Sequence, residues 1–412
     1  MGAKFVNVDR LTPMLLPCDL REWVDKGDLV HFVIESVDEF DLSGFSFNER
    51  GSGSAQYPPR MMVALLVYCY AMGVFSSRKI ERLTYQHVAV RYLCADTHPD
   101  HDTIAAFRAR HEALLKHCFT ELLRLARTMK LLNLGTVHID GTKILADASK
   151  RETLDAKALE KQLEAFDSDC ATNLLEQAAK ADATDDDSAY RLPRDLADAA
   201  TRKAKMQAAR ELIRAREQAE PEKTARVNLT DPDSRLVPDP KGGFVQGYNA
   251  QLAVEEHGIV VGQRVCQDTN DRTALEGTAE TIVAERTQIK HVVVDQGYDN
   301  QSQIAAVEAR FDTTVVCNPS GSPAKIRHGC EARRTIAAAR HRRAQFAQSD
   351  VGRHLLYKRQ TTVEPVIGYI KHVLGFRRFH LRGIGKVRGE WNLVTTAYNC
   401  RKLWLRQREK RS

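Results

Sequence analysis

The sequence predicts an α/β protein: an all-helical N-terminal region over residues 1–130, then a sheet-bearing core over 131–405 interrupted by a helical insertion at 150–228, and a basic tail at 406–412. Three observations predict it. Apolar residues recur at helical spacing up to about residue 130. At residue 134 the pattern changes to strand-like alternation, Val137 and Ile139 against His138 and Asp140. Two later segments, FVQGYNAQLAVEEHGIVVGQRV and HVVVDQGYDN, return to strand texture. A chain of 412 residues with 43% hydrophobic and 28% charged residues can bury a sizeable core, which excludes a disordered polyelectrolyte.

In the N-terminal region, Pro58 and Pro59 precede the run from Met61, where a proline suits a first helical turn. Gly73 to Ser77 break the pattern before an amphipathic stretch from Arg78 to Leu93. A third helix is expected to start with Asp102 or Thr103 as N-cap, with Ile104, Phe107, His111 and Leu114 on one face and Arg108 and Arg110 on another. Three short helices with a basic last member suit a helix-turn-helix reader of DNA, and equally an ordinary helical domain with solvated arginines. The longest apolar run, Met61 to Phe75, is 15 residues, short of the roughly 18 needed for a membrane span.

The first strand is expected to end at Asp140 and drift into helix-forming sequence. Residues 151–226 are then rich in Ala, Glu, Lys, Leu and Arg. Leu159, Leu163, Phe166 and Cys170 trace a helical stripe, a second stretch runs from Leu196 to Gln218, and an acidic loop at Asp182 to Asp187 joins them as a helical hairpin. His257-Gly258 marks a hairpin turn between two alternating runs, and Ala274 to Arg286 reads as helix. Val292 to Val294 form a buried strand ending at Asp295. Residues 321–350 read as weakly structured, and the chain from Thr362 onward as helical and basic.

Charge is unevenly spread. Residues 351–412 hold 15 Lys and Arg against 3 Asp and Glu, a net +12 that leaves −5 for the rest of a chain whose total is +7. A basic C-terminal segment calls for a polyanionic partner. The nine cysteines contain no CxxC pair, which fits reduced thiols in a cytoplasmic protein and no disulfide framework. Cys317, His328, Cys330 and His341 match no usual zinc spacing, and His98 and His101 read as loop and cap residues.

The chemistry-bearing candidates are acids. Two divalent metals roughly 3.5–4 Å apart can activate an attacking oxygen and stabilise a leaving one, and hard cations prefer carboxylate oxygens. Asp140 and Asp295, each at the end of an apolar strand, would meet if those strands were neighbours. In TTVEPVIGYIKHVLG, Pro365 at a first helical position makes Glu364 an N-cap candidate, and Lys371, two turns on, could touch a DNA phosphate. Asp147, Asp299 and Glu390 are rival acids expected in turn, surface or salt-bridge roles. Asp231 and Asp233 in TDPDSR could add a carboxylate near the site or form an Asx-turn partnered by Arg235. Trp404 is expected to pack the final helix, with a frayed basic end beyond it.

With these residues in hand, the sequence resembles a DDE-type insertion-sequence transposase with a ribonuclease H-like core, a mixed sheet flanked by helices. That family's helix signature is tyrosine, two residues, arginine, three residues, glutamate, six residues, lysine. Tyr357, Glu364 and Lys371 fall at those intervals, while position 360 is Gln and Arg359 stands one place early. HIDGTKILADAS, TDPDSR, GYNAQLAV, VVDQGYDN and GFRRFHLRGIGKVRGEWNLVTTAYNCRKL resemble the family in order, across about residues 134–405.

The resemblance implies an enzyme that cleaves the ends of a DNA element and joins the freed 3′ ends to target DNA with Mg²⁺ or Mn²⁺. Asp140, Asp295 and Glu364 would hold the metal. Tyr357, Arg359, Lys371, Arg377, Arg378, Arg382, Lys386 and Arg388 would contact DNA, with Arg108 and Arg110 in the helical region. The implied partners are double-stranded DNA of element ends and target, no membrane, and a second copy when two ends are synapsed. The implied location is the bacterial cytoplasm, at the nucleoid when bound to DNA. A hydrolytic nuclease without strand transfer and a catalytically silent DNA-binding relative are the alternatives.

Overall fold

In the computed structural model, residues 19–45, 56–167, 199–219, 224–239, 242–283, 289–319 and 331–411 are described. The acidic loop Asp182 to Asp187, Cys18, Cys170, His328 and Cys330 lie outside them. The described elements run α1 (Leu29–Asp38), α2 (Pro59–Ala71), α3 (Ser77–Gln86), α4 (Val88–Leu93), α5 (His101–Arg110), α6 (Glu112–Thr128), β1 (Thr136–Leu145), β2 (Thr153–Asp155), α7 (Ala156–Asp167), α8 (Ala199–Ala219), β3 (Arg226–Asn228), β4 (Arg235–Pro238), β5 (Phe244–Glu255) and β6 (Val260–Cys266). They continue with α9 (Leu275–Ala279), β7 (His291–Val293), α10 (Gln301–Phe311), β8 (Thr314–Val316), α11 (Glu331–Gln348), α12 (Asp350–Gly368) and α13 (Ile384–Arg411).

Apolar residues surround α2, where every residue from Met62 to Ala71 is buried. A helix that is hydrophobic all round belongs inside a packed core, and no helix among the described residues is long and apolar enough to cross a membrane. The stretch from Arg78 to Leu93 is two helices, broken at His87, whose backbone is extended (φ −107°, ψ 117°). The third helix is capped two residues earlier than expected. Asp100 accepts the backbone N–H of Thr103 at 2.8 Å and its hydroxyl at 2.7 Å, since its carboxylate reaches the third N–H of the turn in the N-cap manner.

The main sheet is mixed. β5 pairs antiparallel with β1 on one side and with β4 and then β6 on the other, while β7 runs parallel to β1, and β8 parallel to β7. The β5–β6 hairpin turns at Gly258, whose φ of +83° favours glycine. A register shift at Ala253/Val254 follows, and the Asn399 side chain on α13 bonds both backbone groups of Val260 opposite it (2.9 and 2.7 Å).

The insertion has its own small core. β2 and β3 close its base, α7 and α8 pack Leu159 and Leu163 against Met206 and Ile213, and a buried Arg202–Glu152 pair at 3.0 Å fixes α8 to the 3₁₀ turn before β2. Three expectations are corrected here. β1 does not end at Asp140 but runs on to Leu145, because β5 pairs with it along its length. Residues 331–348, read as weakly structured, form α11. The basic tail is no frayed end, since α13 is helical through Arg411, and Arg408 lies over the ring of the partly buried Trp404 at 5.0 Å.

The 28-residue α13 joins the two halves of the chain. It packs against α2 and α6 on one side and β6 on the other, so N-terminal helices and sheet share one hydrophobic cluster. Its first turn is held by Asp231, which accepts the Gly383 N–H at 3.1 Å, and Asp233, which accepts that of Ile384 at 2.9 Å. Trp391 is fully buried between Phe376 and Phe379 and donates to the Gln251 carbonyl.

Glu390, on the same helix, is fully buried and forms the expected salt bridges, 3.7 Å to Arg108 and 3.2 Å to His380. It also accepts from Tyr70 and from the backbone N–H groups of His380 and Leu381. Arg108, expected on a DNA-facing surface, is therefore a correction: its guanidinium is buried between Glu390, the Tyr70 hydroxyl and the Phe75 carbonyl, out of reach of a phosphate.

Burial alone would raise the Glu390 carboxyl, but hydrogen bonds from His380 and the charge of Arg108 leave it below the usual range. A depressed carboxylate contributes stability above its unfolded pKa that is lost as pH falls through its folded one. Glu390→Gln should cost about 3 kcal/mol in urea unfolding at pH 7, as breaking buried pairs does. The gap from wild type should narrow progressively below the ordinary glutamate range near pH 4.5.

Candidate active site

The parallel register of β1 and β7 pairs Val137 with Val292 and His138 with Val293. Two residues beyond that last pair along each strand direction stand Asp140, still within β1, and Asp295, just past the end of β7. Asp295 also caps a 3₁₀ turn, accepting the Gly297 N–H at 2.8 Å, so the turn-capping role and the site position coincide. Burial pushes the Asp140 carboxyl up to about 6; Arg359 and the Gly141 N–H pull it down, and the nearby charge of Asp295 pushes it further up.

Glu364 reaches the site from α12, which packs against β1. It is not an N-cap: the helix begins at Asp350, with Ser349 capping it, and Pro365 sits in its interior. Pro365 deprives the Thr361 carbonyl of its helical donor, yet both residues lie on the exposed side, while Thr362, Val363 and Val366 are buried. Packing of that buried face outweighs the missing bond. The helix then passes into a π turn, Tyr369–Val373, a widening that sets Lys371 over β1, where its ammonium donates to Thr142 Oγ1 (3.0 Å) and the Lys143 carbonyl (3.3 Å).

Arg359 ties these parts together. Its guanidinium bonds Asp140 Oδ2 at 2.8 Å and Glu364 Oε1 at 3.2 Å. On the same strand face as Asp140, His138 is buried, and burial with the charges of Arg359 and Lys358 pushes its imidazole down to about 4, leaving it neutral at pH 7.

The opposite face of β1 holds a brace that the sequence reading missed. Asp271 accepts from Asn249 (2.8 Å), Gln251 (2.7 Å) and Lys143 (3.4 Å), and Tyr298 donates to Gln251. Gly141 makes room for it, since a Cβ there would stand 2.6 Å from Asp271 Oδ1. A glycine inside a strand next to a candidate acid was the available signal for such a close approach.

The other expected residues are placed as follows. Tyr357 is exposed on α12, and Arg110 at the end of α5. Arg377 is exposed and bonds the Lys371 carbonyl and His372; Arg378 is half-buried in a bridge to Leu145. Arg382 pairs with Asp147 at 2.8 Å, while Lys386 and Arg388 are exposed on α13. Of the rival acids, Asp299 pairs with Arg340 at 3.1 Å, and Asp231 is buried on the Tyr248 hydroxyl. His101 opens α5 and pairs with Glu81, and His98 stacks on Tyr85.

A hard divalent cation fits this donor set. All three acids present carboxylate oxygen, the desolvated Asp140 is a group whose ionised form a cation would stabilise, and Arg359 already stands on it as a positive charge. Among the described residues no three His, Cys, Asp or Glu are gathered as a metal-holding set, and Arg359 stands between Asp140 and Glu364.

Residues 211–400 match the transposase DDE domain family, and residues 18–110 match a transposase domain family. The first match takes in Asp295 and Glu364 but starts after Asp140, which is placed by its strand pairing with β7. No curated protein matches the chain. Between them the two matches span most of the sequence, one over α1 to α5 and the other over β3 to β8 and the C-terminal helices. The mixed sheet with flanking helices is the ribonuclease H-like core expected of a DDE domain, and the chain belongs to the DDE-type insertion-sequence transposases.

Proposed function

We propose that this transposase cuts the ends of its DNA element and joins the 3′ ends to target DNA, with Asp140, Asp295 and Glu364 holding Mg²⁺ or Mn²⁺. The observation that carries this reading is that Asp140 and Asp295 each stand two residues past the last pair of the parallel strands β1 and β7, with the glutamate helix packed against β1. A divalent cation bound there would supply charge stabilisation to the phosphoryl oxygens and favour ionisation of the attacking hydroxyl.

The chain's own residues do the rest. Exposed Arg377, Lys386 and Arg388 neutralise phosphates, Lys371 anchors the helix end beside β1, and the Asp271 brace holds the strand that carries Asp140. Synapsis of two ends calls for two copies of the chain, acting on DNA in the cytoplasm of the bacterium that carries the element.

With Arg108 buried, the DNA-reading surface of the helical region moves to α3. Arg78, Lys79, Arg82, Tyr85 and Gln86 are exposed there, Tyr85 at 56%, and among the described residues no ion pair engages the three cations. Arg78, Arg82 and Tyr85 share one face at helical spacing, and Glu81 ties the helix to α5 through His101 at 2.7 Å. A short basic helix presented this way suits a major groove.

Two measurements test the reading. On DNA carrying the element's ends, with Mg²⁺ or Mn²⁺, Asp140→Asn, Asp295→Asn and Glu364→Gln should each lower cleavage and joining by about a hundredfold or more while duplex binding survives. Wild-type cleavage without joining would leave a nuclease, and binding without any metal-dependent product would leave a silent relative. In fluorescence anisotropy on the same ends, Arg78→Ala with Arg82→Ala should reduce the slope of log affinity against log salt by about 2; an unchanged slope removes α3 from the interface.

A further inference from the structure

We propose that Arg359 is a built-in placeholder for the metal: in the metal-free protein its guanidinium occupies the acids, and it leaves when a divalent cation enters, becoming free for a DNA phosphate. The inference builds on the reading of Asp140, Asp295 and Glu364 as the metal-holding acids.

Its basis is the contact geometry. The guanidinium is a fork with donors directed at two different acids, 2.8 Å to Asp140 and 3.2 Å to Glu364. The Arg359 side chain is 12% exposed and that of Asp140 16%, so this pair is shielded from solvent in a way a surface ion pair is not. Glu364 remains half exposed.

Helical spacing explains why the arginine serves this purpose from position 359. Neighbours on a helix surface are three or four residues apart. A cation at position 360, where Gln stands, would lie four residues from Glu364 and could pair with it along the helix. Arg359 is five residues from Glu364, so the two side chains meet off the helix surface, at Asp140 on β1.

Guanidinium and metal cannot share this position. Both would use the Asp140 carboxylate, which Arg359 already engages, and a +1 and a +2 charge at contact distance in a shielded site repel. In the resting state the guanidinium offsets the mutual repulsion of the acids and holds Glu364 beside Asp140 without completing a metal cage. A phosphate at the site offers Arg359 an alternative anion as the metal takes its place. Metal and DNA then assist one another, because each favours the state in which Arg359 has left the acids, and linkage makes that assistance reciprocal.

The test is Mn²⁺ binding by the full-length protein, followed by electron paramagnetic resonance with and without an end-bearing duplex. Without DNA, Arg359→Gln should bind Mn²⁺ about tenfold more tightly than wild type, within the usual range of coupling between sites. Arg359→Lys, which keeps the charge but loses the fork, should fall between them and serves if the Gln variant is unstable. The duplex should tighten Mn²⁺ binding to wild type and do so less for Arg359→Gln. Unchanged or weaker Mn²⁺ binding by the Arg359 variants overturns the placeholder. Asp140→Asn separates the two levels: if it does not weaken Mn²⁺ binding, the acids are not the metal site and the proposal falls with that reading. If it does weaken binding while the Arg359 variants match wild type, only the placeholder falls.

Discussion

The parallel pairing of β1 with β7 is the constraint on which the site depends. A strand advances about 3.3 Å per residue, so a slip of one residue would move Asp140 out of level with Asp295 and turn its side chain to the opposite face. The register is fixed from both sides. β5 pairs with β1 along nine residues, and β8 holds β7 through three matched pairs. Val137, Ile139, Val292 and Val293 are all fully buried, so a slipped register would also expose apolar surface. Asp140 sits on the strand that this pairing holds from both sides.

Much of this was legible in the sequence because it rests on local periodicity. Val137 and Ile139 against His138 and Asp140, the apolar run before Asp295 and the His257-Gly258 turn all map onto observed strands and their connection. What escaped was set by tertiary contacts. The local signal at Glu364-Pro365 is that of a helix start, and only the burial of Val363 and Val366 carries the helix through it. Arg108 has the spacing of a solvated residue, and nothing nearby in sequence announces a carboxylate 282 positions later at Glu390. Asp271 carries no distinctive neighbours, and its position became readable only through the space left by Gly141.

The charge imbalance of the chain also has a structural resolution. The basic C-terminal segment does not hang free but forms a helix whose inner residues, Trp391, Leu393, Val394 and Ala397, belong to the main core. Its start is bound by two carboxylates, Asp231 and Asp233, from just beyond the insertion, and its own Glu390, in the second turn, pairs with Arg108 of the N-terminal helices. The exposed cations that remain, Lys386 and Arg388 among them, are therefore mounted on a helix whose inner face is packed into the core.

The same helix has a geometric consequence. Because α13 packs on α2 and α6 and also on β6, the N-terminal helices and the sheet share one packed core, with Ile80 of α3 and Ile139 of β1 in a single continuous cluster. A nucleic acid touching α3 is thereby held at a set offset from Asp140. The separation of α3 from Asp140 is set by the packing of one helix.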